Sequence, residues 1–133
     1  MRRMACLFLL AFLLAFPAGC GQEGEEKLQD LEFTVVADSE LPAELKTAVE
    51  ERKAEEFRLT YSAGQDLYLA VGYGAQASGG YSIQVKELYL TERGVVLDTE
   101  LLGPEETVEP GAEASYPYIV LKIEMREEPV VFR

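Results

Sequence analysis

The sequence predicts an α+β fold, with one amphipathic helix packed on a mainly antiparallel β-sheet of five or six strands. Three observations carry this expectation. Downstream of Phe57, apolar residues alternate with polar ones over several runs, the period of a strand with one buried face. One stretch, from Leu41 to Val49, repeats instead at helical spacing. The run Leu67-Tyr68-Leu69-Ala70-Val71-Gly72-Tyr73 is apolar on both faces, so it asks for cover on both sides. The same pattern is compatible with curling of the sheet into a sandwich or a barrel.

Taken in order, residues 1–19 read as an export signal. Arg2 and Arg3 give a basic start, and Met4 to Phe16 is an apolar run of 13 residues. A bilayer span takes about 20 residues, so this run suits a signal core better than a membrane helix. Pro17-Ala18-Gly19-Cys20 resembles the lipobox of bacterial lipoproteins, in which the cysteine receives lipid and becomes the new N-terminus. Pro17 departs from the aliphatic residue usual at its position. The resemblance implies lipidation at Cys20, anchoring to a membrane, and an exported protein facing outward. Residues 20–32 are acidic and contain glycine, and they read as a flexible tether. About a dozen such residues average roughly 20 Å end to end. The β-rich domain is expected over residues 33–133.

Within that domain, Phe33 to Ala37 is β-prone, and Asp38, Ser39 and Glu40 are residues that cap helices. Pro42 suits a first helical turn, where its missing N–H is not needed. Leu41, Leu45, Ala48 and Val49 fall on one face of a helix of about 13 to 15 residues. Phe57, Leu59 and Tyr61 mark a strand, which turns at Ala63 to Asp66 into the doubly apolar run. A small-residue turn, Ala75 to Gly80, feeds a strand from Tyr81 whose apolar phase shifts at Glu87, the mark of a bulge. Gly94 closes a short loop in a left-handed position, and Val95, Leu97, Thr99 and Leu101 line the return strand. Gly103 to Ser115 is a long acidic loop, with Thr107-Val108 as its one extended piece. Ile119, Leu121, Ile123 and Met125 form a face of the last long strand, and Val130 to Phe132 adds a short edge strand.

Composition excludes several function classes. There are 24 acidic and 12 basic residues and no histidine. A chain starting at Cys20 holds 24 acids and 10 bases, a net charge of −14, which repels phosphate backbones and argues against nucleic acid. Without histidine there is no Ser-His-Asp or Cys-His nucleophile. The only cysteines are Cys6 and Cys20, so the folded domain holds no disulfide. Gly72-x-Gly74 with Gly79-Gly80 runs into a strand and lacks the Gly-Lys-Ser/Thr of a P-loop. Glu105, Glu106, Glu109 and Glu113 follow no calcium-loop pattern. No catalytic group, metal or cofactor is expected.

Two motifs carry a further resemblance. Gly74-x-x-x-Ser78-Gly79-Gly80-Tyr81-Ser82-Ile83 is followed by Ser115-Tyr116-Pro117-Tyr118 and an apolar strand. In order and spacing this resembles the C-terminal domain of the PrcB family, over roughly Leu41 to Phe132. Glu113 departs from the glutamine that the family often has two residues before the Ser/Thr. The resemblance implies a non-catalytic subunit of a protease complex, with a protein partner. Tyr73, Ser78, Gly79, Gly80, Tyr81, Tyr116, Pro117 and Tyr118 flank the two motif loops and are the expected partner-binding residues. Tyrosine supplies a large contact area and a polar tip at small entropic cost. The competing expectation for Tyr81 and Tyr118 is half-burial with satisfied hydroxyls. Two alternatives accompany this reading: a loop-inserting protease inhibitor, faintly similar to the chagasin-like inhibitors, and a lipoprotein that binds a small molecule or an envelope glycan.

Overall fold

The computed structural model describes residues 26–107 and 109–133. The expected signal sequence, Cys20 and Val108 lie outside the described residues. Eight strands and one α-helix follow in the order β1 (Gln29–Asp30), β2 (Thr34–Val35), α1 (Ala43–Arg52), β3 (Glu56–Ala63), β4 (Asp66–Tyr73), β5 (Ser82–Thr91), β6 (Gly94–Leu102), β7 (Tyr118–Glu124) and β8 (Val130–Phe132).

The strands do not form one sheet of five or six. They form two four-stranded sheets, ordered β1-β5-β6-β8 and β2-β7-β4-β3. Sandwiching follows from β4, the doubly apolar run, which is central in its sheet and buried from Leu67 to Gly72. Leu67, Leu69 and Val71 point to one side and meet Leu88, Val95 and Leu97 of the other sheet, with Leu121 and Ile123 beside them. Tyr68 and Ala70 point to the other side, where Leu41, Leu45, Val49 and Phe57 cover them. The helix thus covers the outer face of one sheet, and the second sheet covers its inner face. No barrel closes.

The helix has the expected face but is shorter than expected, at 10 residues. Leu41 precedes proline and is extended, at φ −70° and ψ 140°, as the Pro ring requires. Pro42 then stands at the N-cap, not in the first turn, and no side chain caps the helix. Asp38 to Glu40 instead form a short 3-10 turn. At the C-terminal end, the chain must turn after Lys53 to bring Phe57 into β3.

Part of the expected tether is ordered in the sheet. Gln29 and Asp30 pair with Leu90 and Tyr89 of β5. The N–H groups of Leu28 and Leu31 donate to the carbonyls of Leu90 and Leu88, at 2.8 and 3.0 Å. Leu28 and Leu31 are the apolar residues of this acidic stretch, and Leu31 packs against the sandwich core. The chain crosses between sheets over residues 31–33.

The β3–β4 hairpin turns through Gly64 and Gln65, with Gly64 at φ 63°. That left-handed angle suits the first turn position of a II′-type hairpin. In β5, Val85 pairs with Thr99 and Glu87 with Asp98, leaving Lys86 as the bulged residue where the apolar phase shifts. Gly94 has φ 148°, and a Cβ there would strike the carbonyl oxygen of Pro129. The close approach lets β8 dock on β6: Val95 N–H donates to Pro129 O at 2.8 Å. β8 runs parallel to β6, the one parallel pair among the described strands.

Gly72 is fixed by packing, not by backbone angle. It pairs with Phe57, whose ring lies where a Cβ would be. Gly72→Ala is expected to lower stability by about 1–3 kcal/mol through overpacking. Phe57→Leu in the same chain should return part of that loss, so the two substitutions are non-additive. Chemical denaturation of both single variants and the double variant measures this, and strict additivity would refute the proposed overlap.

Candidate functional site

The expected partner-binding residues sit at one end of the sandwich because both long inter-sheet crossings lie there. β4 ends at Tyr73 where β7 begins, with Gly72 paired to Tyr118. β5 begins where β6 ends, with Ser82 paired to Leu102. Residues 74–81 therefore cross from one sheet to the other, and residues 103–117 cross back beside them.

The two crossings are bonded to each other. Gln76 N–H donates to Ser115 O at 2.8 Å and Ser115 N–H to Gln76 O at 3.1 Å, an isolated antiparallel bridge. Ser115 Oγ donates to Ser78 O at 2.5 Å, and Tyr73 N–H donates to Pro117 O at 3.1 Å. The Gln76 side chain folds back to the carbonyl of Tyr73 at 3.1 Å. On its other flank, the first crossing meets the turn after α1: Ala75 N–H donates to Ala54 O at 3.3 Å. Gly80, at φ 87°, passes so close to Pro104 that a Cβ would stand 2.9 Å from its ring. The first crossing is thus held between the helix end, the start of the acidic loop and the residues before β7.

The eight expected site residues divide within this end. Ser78 is buried, and its hydroxyl turns to Gly79 O at 3.0 Å, so it shapes the loop. Gly79 and Gly80 are exposed at the loop tip. Tyr116 is 40% exposed, with Lys53 Nζ 5.6 Å from its ring centre. Tyr81 is half-buried beside Gly103, and Pro117 is half-buried.

Tyr73 and Tyr118 do not join a common tyrosine patch. Adjacent strands place them on opposite faces of one sheet, because Tyr118 pairs with Gly72 and not with Tyr73. Tyr73 turns between the sheets, and its hydroxyl bonds Thr99 Oγ1 at 2.6 Å, tying β4 to β6. Tyr118 turns toward the helix side. Its ring lies 6.5 Å from that of Phe57, and its hydroxyl donates to Asp38 Oδ1 at 2.7 Å. Burial and this hydrogen bond push the Tyr118 phenol far above the ordinary tyrosine range.

Several residues of this end were not singled out by motif. Gln76 and Thr99 make side-chain bonds there, Pro104 packs on the loop, and Leu102 is exposed at 40% beside it. Thr99 carried a usable signal, since it is the one polar residue in the inward series Val95, Leu97, Thr99, Leu101. Among the described residues, no group of three or more acids, cysteines or histidines is placed to hold a metal. No described helix is long and apolar enough to cross a membrane.

Comparison with known protein families matches residues 67–124 to the family described as PrcB C-terminal. The match runs from β4 to the end of β7 and includes both bonded crossings. It is shorter than the stretch from Leu41 to Phe132 that the motifs suggested. No curated protein and no solved structure matches the chain.

Two variants test the geometry. Tyr118→Phe should cost about 0.5–1.5 kcal/mol at neutral pH, the net value of one hydrogen bond. A folded-state pKa raised above the ordinary value of about 10 means the stabilisation is full below that pH and is lost as pH rises toward the folded value. Tyr118→Phe should therefore lose less stability than the parent between neutral pH and about pH 11, as read from denaturation at each pH. Ser115→Ala removes the bond to Ser78 O and should raise amide exchange selectively over residues 76–80. Unchanged exchange there would show that the clasp does not depend on that hydroxyl.

Proposed function

We propose, from the match of residues 67–124 to the family described as PrcB C-terminal, that the protein is a non-catalytic accessory subunit of a protease complex, exported and held to a membrane by lipid on Cys20. The observation that carries this reading is the bonded pair of crossings at one end of the sandwich. The Gln76–Ser115 bridge ties the loop that carries Gly79, Gly80 and Tyr81 to the one that carries Tyr116. A loop already ordered loses little conformational entropy on binding, which favours affinity. In this reading Tyr116 and Tyr81 supply the aromatic contact area, Ser78 shapes the first loop and Tyr73 ties β4 to β6, while Tyr118 is turned away to Asp38. Pro117 fixes the entry to β7 and its carbonyl accepts from Tyr73.

The family match supports association with a protease complex. The leader sequence supports export and anchoring, and the acidity of the chain opposes close contact with anionic lipid. The absence of histidine from the sequence supports a binding role over nucleophilic catalysis.

A photo-reactive residue placed at Ala77 in intact cells should capture a protein partner, whereas one at Lys86, on the bulge of β5, should not. Tyr81→Ala combined with Tyr116→Ala should reduce capture by about tenfold or more, with the variant still melting cooperatively. Equal capture by the folded double variant, or from both probe positions, would rule out this end as the binding surface. Separately, Cys20→Ser should move the protein from the membrane fraction to the soluble one. Retention in the membrane fraction would refute the lipid anchor.

A further inference from the structure

The two sheets have four edge strands of very unequal length. β1 and β2 have 2 residues each and β8 has 3, but β3 has 8. β3 pairs with β4 and, among the described residues, with nothing on its other side. Long edges are ordinarily blunted by proline, a bulge or charged side chains. β3, Glu56-Phe57-Arg58-Leu59-Thr60-Tyr61-Ser62-Ala63, has no proline and no bulge, pairs in unbroken register, and is uncharged from Leu59 to Ala63.

The phase of its free hydrogen-bonding groups is fixed. Tyr73 N–H bonds on the β7 side, so Gly72, Ala70, Tyr68 and Asp66 bond toward β3. Their partners are Phe57, Leu59, Tyr61 and Ala63. The N–H and C=O groups of Arg58, Thr60 and Ser62 therefore point out of the sheet, and all three residues are exposed.

Beside this edge lies an open cleft of about 360 Å³, which reaches across to the edge of the other sheet. Its lining is mixed: the apolar residues Leu67, Met125, Pro129, Val130 and Phe132 share it with the polar side chains of β3 and with Arg126 and Glu128. Met125 is 42% exposed, and its N–H bond to Gln65 O fixes it at this end of β3. Arg126 at the rim is engaged by Glu128 at 2.9 and 3.1 Å. Arg58 has no ion pair among the described residues.

We infer that β3 is a docking edge that accepts an extended segment of a partner protein by strand addition, with apolar side chains of that segment entering the cleft opposite Thr60 and Ser62 and a carboxylate opposite Arg58. Main-chain hydrogen bonds supply affinity in such pairing, and pockets for alternate side chains supply selectivity. A second copy of this chain is the poorer occupant. Its outward groups are also those of Arg58, Thr60 and Ser62, so self-pairing aligns these residues with one another. Their polar side chains would then face Leu67, Met125, Val130 and Phe132, two Arg58 cations would meet one mixed cleft, and two chains of net charge −12 would be brought together. This surface runs to the pole of the sandwich away from the bonded crossings, so it stands independently of the function proposed for them.

The test uses synthetic peptides of the same length as β3, 8 residues, alternating valine with threonine and carrying one glutamate at each position in turn, with an all-threonine-and-serine peptide as control. At least one alternating peptide should bind saturably and protect the amides of Arg58, Thr60 and Ser62 from exchange, while the control peptide binds at least about tenfold more weakly. Thr60→Pro removes an outward N–H but no bond to β4, and should abolish binding. Met125→Lys, at an exposed position, should weaken binding without loss of fold and serves if the proline variant does not fold. Binding by none of the peptides, protection confined to other amides, or undiminished binding by folded Thr60→Pro would overturn the inference. Dimerisation of the unliganded chain, seen by ultracentrifugation and abolished by Thr60→Pro, would overturn the choice of occupant.

Discussion

The structure depends on the burial of both faces of β4. A strand apolar on every residue from Leu67 to Val71 cannot lie at a surface, and one covering layer is not enough. Leu69, Ala70 and Leu121 have no exposed surface, which shows how completely the two layers close over the centre of this sheet. Fully burying a leucine contributes on the order of 2 kcal/mol, so leaving either face of β4 open would cost several times that. The helix and the second sheet are the two covers. Once both exist, the chain must cross between sheets, and the crossings are where the loops of the molecule gather.

The crossings explain why polar contacts concentrate at one end. Backbone that leaves a sheet loses its ladder partners and must find others. Residues 74–81 find them in Ala54, Ser115 and their own side chains. The result is a loop end held by hydrogen bonds, with two glycines at its tip. At the other lateral boundary the sandwich behaves differently. Residues 29–35 pass from one sheet to the other and cover the β1–β2 side, whereas nothing described pairs with β3 on the opposite side.

Much of this was legible from local pattern. The helical face at Leu41, Leu45, Ala48 and Val49, the bulge before Glu87, and the hairpins at Gly64 and Gly94 all follow from periodicity and turn chemistry. The tyrosines were less legible. Period two says that neighbouring strand positions face opposite ways, but it does not say which residue on one strand stands opposite which on another. Only the pairing of Tyr118 with Gly72 separates it from Tyr73 and turns it toward Phe57 and Asp38. The order in residues 28–31 was hidden for a similar reason. Two leucines among acids read as a polar tether until the edge of β5 is there to receive them.

The sequence by itself determined the strands from β2 onward, the face of the helix, where the hairpins turn and that β4 must be covered twice, because these follow from spacing and side-chain chemistry within a few residues. The number of sheets, the partners of each strand and the sharing of tyrosines between rim and support were decided only by the tertiary structure. They depend on contacts between residues as far apart as Asp38 and Tyr118, and no local period encodes a register across that distance.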